Sequence, residues 1–214
     1  MIVTETELTG LAVISGGGHL PGMPPAPTGK AQAVSALEGL RTKGVVDEQG
    51  RVTPFGMVPV KAVEQYWRAD RHVFINQLKA SVNEDGAITV LHPAGDDWNL
   101  SRMSPAGLMV ALLEAYPWLC GGGPDTPAGS WEPLTLQQWA DDRAHGSPGV
   151  VVVRDTSASK RQSTIVAYDM RGETGFAYDL DRSEGCALPL WQIRIRLADL
   201  IGFQPGDGKG GSHA

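Results

Sequence analysis

The sequence predicts an α+β fold, because three patterns alternate along it: apolar stripes at helical spacing, β-rich runs split by glycine turns, and loops dense in Gly and Pro. A chain of 214 residues can bury a substantial core without staples. One domain is therefore expected over residues 1–205, built of two similar halves at about 30–116 and 134–202. Residues 206–214 are low in apolar content and are expected to form a disordered tail.

Met1 to Leu8 carry Glu5 and Glu7 and lack a basic start and an apolar stretch, so they do not read as a signal peptide. Residues 15–29, SGGGHLPGMPPAPTG, break any period and mark a loop between a short first element and the body of the fold. From Lys30 to Lys43, Val34, Leu37 and Leu40 recur at helical spacing, and Gly44 follows as a C′ residue would. Val45-Val46, the turn Asp47 to Gly50, and Val52-Thr53 make a small β excursion. A second helix, roughly Phe55 to Arg68, would bury Val58, Ala62, Val63 and Tyr66.

Residues 72–82 and 87–91 are β-rich and flank Asn83-Glu84-Asp85-Gly86, whose Asp-Gly step signals a hairpin. A strand from Trp98 to Met103 leads to Ser104-Pro105, a cap followed by a first-turn proline, and then to the stripe Leu108, Val110, Leu112 and Leu113. A Gly/Pro loop, Pro117 to Pro133, precedes a short helix from Leu134 to Ala144 through Leu136 and Trp139. Val150 to Val153, Ser163 to Tyr168, Phe176 to Leu180 and Ala187 to Ile193 read as strands, and Leu197, Leu200 and Ile201 as a closing helical stripe. Gly86 and Gly95 in the first half match Gly175 and Gly185 in the second at similar spacing. That suggests a duplication in which two antiparallel units pair into one sheet.

The signatures of chemistry are weak. Thr28-Gly29-Lys30 looks like the end of a phosphate loop, but Pro24 stands where its first Gly belongs and Ala31 where Ser or Thr should be, so a helix start is the better reading. Ser157 to Lys160 has S-x-x-K spacing inside a polar turn. The five histidines lack ligand spacing, and Asp96-Asp97 and Asp141-Asp142 read as solvated turns or helix ends. Cys120 and Cys186 are isolated and read as reduced thiols, with a disulfide as the alternative. No catalytic residue, metal site or cofactor is expected.

The net charge of −6 comes with scattered Lys and Arg, which argues against nucleic acid as a partner. No apolar run approaches the roughly 20 residues of a spanning helix, so membrane insertion is not expected and the chain is expected in the cytoplasm. Ala36 to Pro54 could form the helix and wing of a winged-helix regulator, but Arg41, Lys43 and Arg51 are offset by Glu38, Asp47 and Glu48.

Three stretches carry a resemblance to the EspG family of actinobacterial type VII (ESX) secretion chaperones. Ala33 to Arg68 resembles that family's helix, GLVD-x-x-G turn and second helix, with GVVDEQG standing at the turn. Val73 to Tyr116 follows its hairpin, strand and helix order. Ser163 to Leu200 includes AYDMRGETGFAYDL, similar to its strand, DT-x-x-GR turn and strand. The resemblance implies a quasi-two-fold fold with a central antiparallel sheet and flanking helices. It also implies a non-enzymatic, cytoplasmic role in binding PE–PPE heterodimers and keeping them soluble before export. By position, the hairpin loop that reaches the partner is Asn83, Glu84, Asp85 and Gly86. Trp98 and Trp139 are expected interface anchors, although most of the six tryptophans should be core or boundary residues. Leu134 to Val150 leaves room for only one short helix, so the second helical bundle is expected to be truncated. Two other readings remain at this point: a small enzyme or ligand-binding protein using the Gly/Pro loops, and the winged-helix regulator. Shortening the Asn83 to Gly86 turn is expected to weaken partner binding at nearly unchanged stability.

Overall fold

A computed structural model describes residues 1–23, 29–83, 85–121, 128–135, 137–138, 150–155, 162–168, 174–179 and 182–202. The fold is α+β. Strands β1 (Ile2–Val3), β2 (Arg71–Ile75), β3 (Leu78–Val82), β4 (Ile88–Ala94) and β5 (Asp97–Met103) form an antiparallel sheet in the order β1-β5-β4-β3-β2. Strands β6 (Glu132–Pro133), β7 (Val150–Asp155), β8 (Gln162–Tyr168), β9 (Thr174–Asp179) and β10 (Glu184–Pro189) form a second, in the order β6-β10-β9-β8-β7. The second order repeats the first strand for strand, and the edge strands β2 and β7 lie side by side where the sheets meet. The pairing read from the sequence as one continuous sheet is thus two abutting ladders.

Each sheet runs into a helix. Ser104 caps α4 (Pro105–Ala115) by accepting from the Gly107 amide, and α5 (Leu190–Leu200) starts directly after Pro189. The two helices repeat one pattern: Leu108 and Leu112 are buried as Ile193 and Leu197 are, and Val110 and Ile195 are exposed at the same helical position. A core shared by both halves joins Val73, Ile75, Ile88 and Val90 to Leu108, Leu112, Leu119, Leu188, Ile193 and Leu197. Leu119 belongs to a 3-10 turn, Pro117–Cys120.

The opposite face of the first sheet carries α1 (Glu5–Ile14), α2 (Lys30–Thr42) and α3 (Met57–Arg68). Leu8, Leu11, Leu40, Val63 and Tyr66 close on Leu91 and Leu100 to make a second core. Strand alternation explains the division, since Val90 and Leu91 are neighbours that point to opposite faces. Thr4 and Glu7 form a capping box at the start of α1. The Glu7 carboxylate also pairs with Lys43, at the end of α2, and fills the space beside Gly39 where a side chain would stand. The Tyr66 hydroxyl donates to the Pro21 carbonyl at 2.8 Å and ties the loop after α1 to α3.

Several expectations change. The first 14 residues are not a prelude to the fold, because Val3, Leu8, Leu11 and Ala12 are core. The run 72–82 is two strands, reversed at Asn76, which adopts φ 52°. Asparagine tolerates that left-handed conformation, but Asn76-Gln77 lacks the glycine that marks such a turn in sequence. The strand expected from Ala187 to Ile193 stops at Pro189, and Ile193 is helical. In α3, Val58 is 71% exposed while Pro59 and Val60 are buried beside Val63 and Tyr66. Gly175 and Gly185 lie inside β9 and β10, so they are not turn positions equivalent to Gly86 and Gly95. Glu84, Trp139, most of the expected helix from Leu134 to Ala144, Ser157 to Lys160 and the tail 206–214 lie outside the described residues.

Candidate partner-binding surface

Helices α1 and α2 approach closely because glycine and alanine meet between them: a Cβ at Gly10 would stand 3.1 Å from the Ala36 Cβ. Ala36 and Leu40 face inward, four residues apart on one side of α2. That orientation turns Val34 and Leu37, which share the apolar spacing of Leu40, outward, 48% and 36% exposed. The neighbouring Val13 of α1 is 63% exposed. Between the helices runs an open groove of about 670 Å³ lined by Thr9, Val13, Ile14, Ala33 and Leu37, with Lys30 the one charged residue among the described residues that line it. That volume is within the range of ligand and peptide grooves. Gly29 caps α2 with its N–H donating to the Gln32 side chain at 2.9 Å, so Gly29-Lys30 serves a helix start, while Thr28 lies outside the described residues.

The residues singled out from the sequence are not brought together there. Asn83 and Asp85 border a polar cavity of about 800 Å³ at the end of α3, alongside Glu64, Arg68 and Asp70. The Asn83 side chain points inward and is 9% exposed. It accepts from the Ser81 hydroxyl and donates to the Thr89 hydroxyl, each at 3.3 Å. Asp85 pairs with Arg102 and accepts from the Ala87 amide at 3.0 Å. Gly86, at φ 75°, takes the left-handed position of the turn. These bonds make the turn part of the sheet, so shortening it would cost stability, contrary to the sequence-based expectation. Trp98 lies at the other end of β5, in register with Val3 and Pro93. It is half-buried against the second core, with the Lys79 ammonium 4.8 Å from its ring centre. Burial holds that ammonium below its ordinary pKa. Trp67, Trp118 and Trp131 are likewise half-buried against the cores.

The basic residues of the winged-helix reading are engaged within the fold. Arg41 donates to the Asp47 and Glu48 carbonyls, Lys43 pairs with Glu7, and Arg51 pairs with Asp47 at 2.8 Å. The Arg51 backbone N–H bond, together with its guanidinium, holds the Asp47 carboxyl below its ordinary pKa. Cys120 is exposed and Cys186 buried, both as free thiols. Among the described residues, no three His, Cys, Asp or Glu side chains converge as metal ligands, and no helix is long and apolar enough to cross a membrane.

The groove residues were missed because apolar spacing identifies the helix without telling which of its apolar residues the tertiary fold covers. The signal available in sequence was that α2 carries more apolar positions than one buried face needs: Ala36 and Leu40 on one side, Val34 and Leu37 beside them.

The family model described as a domain of unknown function (DUF5081) matches residues 2–125, more than half of the chain. The chain belongs to this family. The match takes in the first sheet with α1 to α4 and leaves the second sheet outside it. No curated protein matches the chain.

Proposed function

We propose that this DUF5081-family chain is a non-enzymatic, cytoplasmic chaperone of the EspG type, which binds a PE–PPE-like heterodimer and keeps it soluble before type VII export. The observation that carries this reading is the apolar groove between α1 and α2, which no described residue covers. Apolar surface left open in a concave, nearly uncharged site is suited to covering a partner's apolar tip, which would otherwise aggregate. By the resemblance, the exposed turn at Asp85 and Gly86 is a further polar contact for a partner, at a site apart from this groove. The repeated strand order and paired terminal helices are further support, being the quasi-two-fold arrangement expected from the resemblance.

Co-expression with the PE–PPE pairs of the same genome, followed by co-purification at moderate and high salt, tests the proposal. A complex that survives high salt and keeps the PPE chain in solution is the expected result, because an apolar contact is not screened by ions. If a well-folded protein captures none of the pairs, the proposal fails.

A further inference from the structure

Glu114 is the sole polar side chain of α4, and a helix apolar all round belongs in an interior. Leu108, Met109 and Leu112 are buried accordingly. Ala106, Gly107, Val110 and Glu114 form a stripe at spacings of three and four on the outward side, and all are exposed, Val110 by 55%. No described residue covers that stripe. Helix α5 holds the equivalent place in the second half and exposes Ile195 at the same helical position, but it carries Gln192, Arg194, Arg196 and Asp199. The apolar outward face is thus particular to α4.

The charges of α4 are mismatched as well. Glu114 lies in the last turn, where the helix dipole is negative and no basic residue accompanies it. No ion pair reaches it among the described residues. The first turn has the opposite surplus. Pro105 has no N–H and Ser104 takes the Gly107 amide, which leaves the Ala106 N–H without an intrahelical acceptor at the positive end.

A two-fold axis at Val110 removes both mismatches together. It lays a second α4 antiparallel to the first. Ala106 and Glu114 stand four residues to either side of Val110, so each Glu114 then faces the Ala106 turn of the other copy. A carboxylate meets a helix N-terminus at each end, and the two Val110 side chains cover one another between them. Ala106 and Gly107 are small enough to let the helices approach. A different protein would need an apolar side chain set between an acid and a helix N-terminus, whereas a second copy already holds them in that order.

We propose that the outward face of α4 is the contact between two copies of this chain, packed antiparallel about Val110 with each Glu114 on the first turn of the other α4. A single pair of short helices is small beside the roughly 1,200 Å² of a standard interface, so the dimer exchanges with the monomer. This face lies across the first sheet from α1, α2 and α3, and the inference stands without the chaperone reading.

Sedimentation equilibrium of the full chain over a wide concentration range tests it, with a reversible rise in mass from one chain to two as the expected result. Val110→Asp and Glu114→Lys should each weaken association about tenfold or more, roughly 1.4 kcal/mol. Neither should lower the melting temperature of the dilute protein by much, because both positions are exposed, and a lysine suits the negative end of the helix. With Cys120→Ser removing the exposed thiol, Val110→Cys should form an intermolecular disulfide under mild oxidation. Ile195→Cys, at a similarly exposed position, should not. A mass of one chain at every concentration, parent-like association of either charge variant, or equal cross-linking of the two cysteine variants would each overturn the proposal.

Discussion

Replacing Val13 by glutamine separates the groove's role in binding from any role in the fold. Val13 is 63% exposed in the free protein, so most of its side chain has yet to leave water. Complete burial of a valine is worth about 1.5–3 kcal/mol, and the exposed share corresponds to roughly 1–2 kcal/mol released only when a partner fills the groove. Glutamine forfeits that share and brings an amide whose desolvation without a partner costs about 1–3 kcal/mol. The affinity for a PE–PPE-like pair should therefore fall at least about tenfold. Stability should change by less than about 0.5 kcal/mol, since the site is exposed and glutamine is a good helix former. Isothermal titration against the co-purified pair gives the first quantity, and thermal melting of the free protein gives the second. A variant that binds as the parent does would refute the assignment of the groove. A large loss of melting temperature would show that Val13 belongs to the core.

Three further outcomes test the fold around the site. A Cβ at Gly56 would run into the Val45 backbone carbonyl, so Gly56→Ala should cost about 2–3 kcal/mol by urea denaturation; an unchanged midpoint would contradict the close packing there. Asn83→Ala removes the shared partner of the Ser81 and Thr89 hydroxyls inside the sheet and should cost about 1–2 kcal/mol, whereas a purely partner-facing Asn83 would leave stability untouched. Burial pushes the Tyr66 phenol well above its ordinary pKa. The associated stability is complete below about pH 10, the unfolded-state value, and is lost as pH rises through the folded-state value. Tyr66→Phe should flatten this alkaline decline while costing about 1 kcal/mol at neutral pH for the bond to Pro21, and an identical alkaline profile would exclude Tyr66 as its source.

Much of the local structure was legible. Ser104-Pro105 announced α4, Gly44 at φ 70° ended α2, and Asp85-Gly86 closed the β3–β4 turn. Each is a case in which the backbone conformation follows from one or two side chains. The candidate site was not legible in the same way. Val34, Leu37 and Val58 have the same chemistry as Leu40 and Val63, and helical spacing groups them together. Their exposure follows from where α1 and the first sheet approach the helices. Asn83 shows the same limit for a polar residue: its type suits a turn tip, but the hydroxyls of Ser81 and Thr89 across the strands draw it inward.

Composition and pattern by themselves determined the α+β class, the helix caps, most strands and turns, and the absence of a long apolar helix, because these depend on interactions within a few residues of sequence. Tertiary structure alone decided that β2 meets β7, that no described residue fills the α1–α2 groove and that the Asn83 side chain turns inward. Each of these depends on the relative placement of elements far apart in the chain, where burial and hydrogen bonding belong to a pair of surfaces and no single segment carries them.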